Sequence, residues 1–328
     1  MTFRRRVASL LFVASLSACG TSGSGGPGGS WNLQPGTGGN FQSGVFDESG
    51  RFIIGNLAWD VSAQTWNMLD VQPTAAGIGG PFLAPAGTVY GLVAGNNADS
   101  SLFYTLYKLT GSTWSILYQL PVASAHAAVD GNGVVWAAAW ESPPNTQLWK
   151  RGTTGWEKTY DAPGPSIVKS FFSARSGNLF LTYAGETRLM SASGNALSPI
   201  FDCATASTQA YCMGEVGIGA GSPGELLFGD GSNFYRASSA TATPTRFATP
   251  PKEYPIINTV VIFGGDLFMT AKKETGELPW LLRHNADADA SSWSQLAEMP
   301  CLGCTIAVNG DDKIFSFDGA GSLWRYEN

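Results

Sequence analysis

The sequence predicts an all-β chain built from one strand-rich unit repeated seven times, on three observations. Charged residues make up only 13% of the 328 residues, while Gly (41), Trp (11) and Phe (18) are abundant, which suits short strands and tight turns and leaves surface helices short of Glu and Lys. No long window outside the first twenty residues carries the 3.6-residue apolar period of a helix. A turn followed by an apolar strand recurs every 37 to 47 residues, as Gly50-Arg-Phe-Ile53, Gly87-Thr-Val-Tyr90, Gly133-Val-Val-Trp136, Gly177-Asn-Leu-Phe180, Gly224-Glu-Leu-Leu227, Gly265-Asp-Leu-Phe268 and Asp312-Lys-Ile-Phe315.

The clearest copy is Ala128-Val-Asp-Gly-Asn-Gly-Val-Val-Trp136, followed by Gln147-Leu-Trp-Lys150 and Gly155-Trp156. Its second strand recurs as Leu106-Tyr-Lys108, Phe234-Tyr-Arg236, Leu281-Leu-Arg283 and Leu323-Trp-Arg325, and its third opens at Trp66, Trp114, Trp156 and Trp293. A period of about 40 to 50 residues with strand signals alone marks the blades of a β-propeller, each a four-stranded sheet that cannot bury both faces without neighbours. Large rings at repeat positions are expected to fill the wedges between sheets rather than to stack on a cofactor, and no cofactor is expected.

The seventh copy stops at Glu327-Asn328, before its Trp strand, and Ser30-Trp31-Asn32-Leu33 matches Thr65-Trp66-Asn67-Met68. Residues 30 to 34 are therefore expected to add as the outer strand of the last blade and close the ring, removing free sheet edges. The predicted fold is thus an all-β, seven-bladed β-propeller over residues 30–328, closed by its own N-terminal strand.

Met1 to Ala18 has a basic start (Arg4 to Arg6), an apolar run (Val7 to Leu16) too short to span a bilayer, and small residues before a cysteine, the anatomy of an export signal. Leu16-Ser17-Ala18-Cys19-Gly20 resembles the bacterial lipobox. That resemblance implies cleavage after residue 18, lipid attachment at Cys19, and a membrane anchor made of acyl chains. Gly20 in place of Asp implies delivery to the outer membrane of the cell envelope, facing the periplasm or the surface. Residues 19–29 read as a flexible Gly/Ser tether. Without the three arginines the chain carries 16 basic against 25 acidic residues, a formal charge near −9, which repels phosphate backbones and excludes nucleic acid as a partner.

Ten residues before each aligned aromatic position lie Ser43, Gly80, His126, Ser170, Gly217, Asn258 and Thr305, all small or polar apart from the imidazole. This segment is the expected innermost strand, where blades crowd the axis, so Ser43, His126, Ser170, Asn258 and Thr305 are the candidate channel-lining residues. The two histidines, His126 and His284, fall in different predicted blades, and neither has a nucleophile motif beside it, so no catalytic residue is assigned. His284-Asn-Ala-Asp-Ala-Asp-Ala-Ser291 begins like a calcium loop but has Ala290 and Leu296 where that loop needs Gly and Glu; it reads as a solvated turn, and no metal site is assigned. Cys203, Cys212, Cys301 and Cys304 are an even set in an exported chain and are expected to form local disulfides. A zinc site would have to join two loops separated by a blade.

Asp130-Gly-Asn-Gly133-Val-Val-Trp136 and the aromatic-Lys pair up to Lys150 resemble the repeats of tectonin-type and two-component-sensor propellers, and Gly264-Gly265 is similar to a kelch turn. Asp130 is one residue too far from the glycine to match the Asp-box of sialidase-type propellers. The resemblance implies a binding platform whose loops on one face of the ring hold a glycan or an envelope protein; the shortage of candidate catalytic residues favours a non-enzymatic role, and a monomer is expected. Trp59 to Trp66 resembles the repeat of propeller lipoproteins of outer-membrane protein assembly, which implies a scaffold as the alternative. A hydrolase or lyase with its site at the channel mouth is the third.

Overall fold

The structure is a computed structural model that describes residues 29–34, 44–72, 78–96, 102–121, 125–141, 145–161, 168–173, 177–183, 188–193, 196–202, 226–229, 233–237, 245–309, 313–318 and 321–327. Among the described residues the chain is all-β, and its strands form seven sheets. Sheet I consists of Val45–Phe46, Phe52–Ile54, Leu57–Asp60 and Thr65–Met68; sheet II of Gly79–Leu83, Val89–Asn96, Leu102–Thr110 and Thr113–Gln119; sheet III of Ala125–Val129, Val135–Glu141, Asn145–Arg151 and Trp156–Asp161. Sheet IV consists of Val168–Ser173, Leu179–Tyr183, Arg188–Ser193 and Ala196–Asp202; sheet V of Leu226–Gly229, Phe234–Ala237 and Thr245–Ala248; sheet VI of Ile256–Phe263, Asp266–Lys272, Trp280–His284 and Ser294–Glu298. Sheet VII takes Thr305–Val308, Ile314–Phe317 and Leu323–Glu327 from one end of the chain and Ser30–Leu33 from the other.

Apart from Ser30–Leu33 and Asp70–Gln72, the strands of each sheet pair antiparallel in chain order, from an inner first strand to an outer last one. The turn between the first two strands explains the repeated glycine. Asp47 N–H donates to the Arg51 carbonyl (3.0 Å) while Gly50 N–H donates back to Asp47 (3.0 Å); Asp130 does the same with Val134 and Gly133, and Ala84 with Thr88 and Gly87. The glycine must sit in the left-handed region, with φ of +80° at Gly50, +79° at Gly87, +77° at Gly133 and +87° at Gly177, which a residue with a Cβ resists. In sheet VI the same connection is the two-residue turn Gly264-Gly265, at +63° and +92°, the pairing that a tight hairpin requires.

Consecutive residues of the middle strands point to opposite neighbouring sheets, so these strands are apolar on both faces. In Val135–Glu141, Val135, Ala137 and Ala139 pack with Tyr90 and Leu106 of sheet II, whereas Trp136 and Ala138 pack with Phe171, Leu179 and Leu181 of sheet IV. The aligned large residue faces the following sheet each time: Ile53 towards sheet II, Tyr90 towards III, Trp136 towards IV and Phe268 towards VII. Phe315 of the last sheet faces sheet I, where it stacks on Phe52 (5.7 Å, 5° between planes) and touches Phe46. The junction between sheets IV and V falls largely outside the described residues, residues 203–225 among them.

Ser30–Leu33 pairs antiparallel with Leu323–Glu327, Trp31 opposite Tyr326, and Gln34 N–H extends the ladder to the Leu323 carbonyl at 2.8 Å. Trp31 is 5% exposed and packs edge-on to Tyr326 among side chains of sheets VI and VII. Sheet V has three strands among the described residues, and one further element departs from the four-strand unit. Asp70–Gln72 leaves the outer strand of sheet I and adds in parallel to Thr113–Gln119, making sheet II five-stranded and covering its outer edge. Trp31→Ala should lower stability by about 3–5 kcal/mol, because it empties a buried aromatic site. Thermal unfolding should show a comparable loss on deleting residues 20–34 and little change on deleting 20–28; equal melting temperatures for both deletions would contradict the packing described.

Candidate binding face

The predicted channel residues fall where the innermost strands begin. His126 is the second residue of Ala125–Val129, Ser170 the third of Val168–Ser173, Asn258 the third of Ile256–Phe263, and Thr305 opens Thr305–Val308. Ser43 lies outside the described residues, and of Ser170 only the backbone is described. The inner strands neighbour one another: Val45–Phe46 lies beside both Gly79–Leu83 and Thr305–Val308, Ala125–Val129 beside Val168–Ser173, and Ile256–Phe263 beside Thr305–Val308. The first strands of adjacent sheets therefore lie side by side wherever both are described in contact.

Near its start the ladder slips by one residue in three inner strands. The extra residue lies between Gly79 and Phe82 in sheet II, is Lys169 in sheet IV, and is Asn258 in sheet VI. A bulge leaves its residue's N–H and C=O outside the strand pairing and turns its side chain, a device that recurs next to binding sites. Asn258 is exposed, whereas Ile257 before it is buried and Thr259 after it is half-buried. The inner strand of sheet III has no slip: Ala125 to Val129 pair continuously with Ala139 to Val135, and His126 occupies the corresponding place opposite Ala138. His126 is half-buried, and burial pushes its imidazole below the ordinary value.

The other charged and aromatic candidates are engaged in holding the sheets. The repeated basic residue stands directly across from the aligned large one: Tyr90 opposite Lys108, Trp136 opposite Lys150, Leu227 opposite Arg236, Phe268 opposite Arg283 and Phe315 opposite Arg325. Lys150 Nζ lies 5.6 Å from the Trp136 ring centre and the Arg283 guanidinium 5.6 Å from that of Phe268, so the repeat carries a cross-strand cation–π pair. Asp130 Oδ1 accepts the Asn132 and Val134 N–H groups, and its Oδ2 accepts the Trp136 indole N–H at 3.0 Å. Asp47 plays the same part. Burial raises its pKa, but hydrogen bonds from Ser49 and Arg51 and the Arg51 charge outweigh that and leave it below the ordinary 3.8.

His284 is fully buried between sheets V and VI, with Nδ1 at 2.8 Å from the Ser292 carbonyl and the rings of Phe247 and Trp293 at 5.1 and 5.3 Å. It is a core residue well away in sequence from the inner-strand starts. Asn285, Asp287 and Asp289 after it are exposed, and Asn285 caps its own turn through the Asp287 N–H. Cys301 and Cys304 are joined as a disulfide immediately before Thr305, and Cys19, Cys203 and Cys212 lie outside the described residues.

The depressed pKa of His126 gives a test of its placement. The unfolded chain takes up this proton near pH 6.5 and the folded one only at lower pH, so stability from this group is full above about 6.5 and is lost as pH falls through the folded pKa. His126→Gln should therefore lose less stability than the parent between pH 7 and 5 in denaturant titrations. Parallel curves for the two proteins would contradict the burial described.

With this geometry in place, the chain can be compared with known proteins. No family model and no curated protein sequence matches it. Among solved structures it is similar to virginiamycin B lyase from Staphylococcus aureus, at 13% identity and a TM-score of 0.61, over 91% of this chain and 99% of that one. It is also similar to YCF48 bound to a D1 peptide, at 11% identity and a TM-score of 0.57, over 94% of this chain and 100% of that one. Puromycin hydrolase matches at 12% identity and a TM-score of 0.55, over 90% of this chain and 57% of that one. At these identities the likeness is one of fold, and the fold is that of a β-propeller.

Proposed function

We propose that this chain is a lipid-anchored cell-envelope protein whose seven sheets are the blades of a closed ring, and that the end of the ring where the inner strands begin binds a partner protein without chemical turnover. The observation that carries this reading is the register slip that recurs near the start of three inner strands, between Gly79 and Phe82, at Lys169 and at Asn258, of which Asn258 is exposed; a bulge takes its residue out of the strand pairing. An extended peptide is recognised mainly through backbone donors and acceptors. The contacts of Phe315 with Phe46 and Phe52, and the pairing of Ser30–Leu33 with Leu323–Glu327, support closure. YCF48, with a similar fold, binds a D1 peptide.

A membrane-embedded barrel as the partner would make the chain an assembly scaffold. A glycan in place of a protein would use the same mouth. The hydrolase or lyase reading draws on the similar folds of virginiamycin B lyase and puromycin hydrolase, with His126 as the residue at the mouth.

Two measurements test the proposal. Cys19→Ala should abolish acyl labelling and move the protein from the membrane to the soluble fraction; membrane retention of the unacylated protein would contradict lipid anchoring. A photo-crosslinking side chain at position 258 or 305, introduced in living cells, should give one discrete protein adduct that the same side chain at Ser112, in the turn at the far end of sheet II, does not. Equal adducts from all three positions, adducts to glycan alone, or a turnover that disappears in His126→Ala would overturn the protein-binding reading.

A further inference from the structure

The outermost strands of sheets VII and I, and Thr113–Gln119 of sheet II, which Asp70–Gln72 flanks, share a pattern. Ser30-Trp31-Asn32-Leu33, Thr65-Trp66-Asn67-Met68 and Thr113-Trp114-Ser115-Ile116 carry no charged residue, and each places a large apolar side chain two residues after its tryptophan. Those three side chains are exposed: Leu33 by 55%, Met68 by 70% and Ile116 by 47%. At the equivalent position sheet III has Lys158, ion-paired with Asp161, and sheet VI has exposed Gln295. Single exposed apolar residues are ordinary on a protein surface. The same position left apolar in three neighbouring sheets, and polar in the others where it is described, is a one-sided wall.

The chain itself indicates what covers this wall. Leu33 belongs to the strand that follows the tether directly, and residues 20–29 span at most roughly 35 Å when extended. We infer that the outer wall of sheets VII, I and II rests on the bilayer that holds the Cys19 acyl chains, with Met68, on the middle sheet and the most exposed of the three, deepest in the interface. This inference rests on the lipid-anchored reading. The net negative charge of the chain means that apolar insertion into zwitterionic lipid, rather than attraction to anionic headgroups, drives the contact. The ring then stands on its edge, and the mouth opens along the membrane surface rather than away from it.

The test uses the full-length protein, purified from the envelope and reconstituted in phosphatidylcholine vesicles that include a phosphatidylcholine with a photoreactive acyl chain. Acylation of Cys19 is read independently by mass spectrometry. Lipid adducts should map to peptides containing Met68, Leu33 and Ile116, and not to those containing Leu83 or Leu302, which are also exposed. The triple variant Leu33→Glu, Met68→Glu, Ile116→Glu should keep the parental melting temperature and lose about tenfold in adduct yield, the scale expected when exposed apolar contacts with lipid are replaced by charge. Acylated protein with adducts spread evenly, or confined to Leu83 and Leu302, overturns the wall and leaves the anchor standing. Unacylated protein that still floats with the vesicles and labels at Met68 keeps the wall and overturns the anchor; unacylated protein that does not float overturns both. A wall shielded by a second copy, seen as a concentration-dependent doubling of mass, also overturns the lipid contact.

Discussion

Sheets I, II, III, VI and VII are each apolar on both faces and can bury neither alone. That constraint determines nearly everything else. A middle strand such as Val135–Glu141 must send alternate side chains into two different neighbours, which explains continuous apolar runs where a one-sided sheet would alternate with polar residues. A set of sheets linked in this way leaves two exposed faces unless the last finds the first. Phe315 of the last sheet packs against Phe52 and Phe46 of the first, and the N-terminal strand pairs with Leu323–Glu327. Burying a side chain such as Trp31 stabilises by the few kcal/mol of its apolar area, several times what an exposed ion pair such as Lys158 with Asp161 adds.

The same repeat joins strands within a sheet and sheets to one another. Its glycine lets the first two strands turn tightly, its large residue fills the wedge towards the next sheet, and its Lys or Arg lies over that ring from the adjacent strand. Charged groups such as Asp130, Asp47 and Asp266 are bound into turns and cross-strand pairs. On the proposed reading, recognition falls to the bulged residues near the inner-strand starts, Asn258 among them, and to exposed apolar side chains such as Met68.

The features legible in the sequence are those with a local physical cause. Gly50, Gly87, Gly133 and Gly177 stand out because only glycine adopts their backbone angles cheaply, and Trp31 stands out because a tether has no use for a tryptophan. The starts of the inner strands follow from counting back along the repeat. Relational features were not legible. Asp70–Gln72 pairs with Thr113–Ser115, far along the chain, and nothing within those three residues announces a strand. The slip at Asn258 exists only relative to Ile257, Thr259 and their partners, and the burial of His284 depends on Phe247 and Trp293 arriving from elsewhere. The basic residues were visible as a spacing, but their position across from the rings required the register.

The central claim, that the N-terminal strand locks the last sheet of a closed ring, is tested most directly by native-state hydrogen exchange of residues 30–34. A locked ring predicts that the Gln34 amide, bonded to the Leu323 carbonyl, opens with the same free energy as the amides of Leu323–Glu327, so that both exchange only through global unfolding. Exchange of Gln34 within seconds, while Leu323–Glu327 stays protected, would mean that the strand frays independently and that the ring is not locked by it.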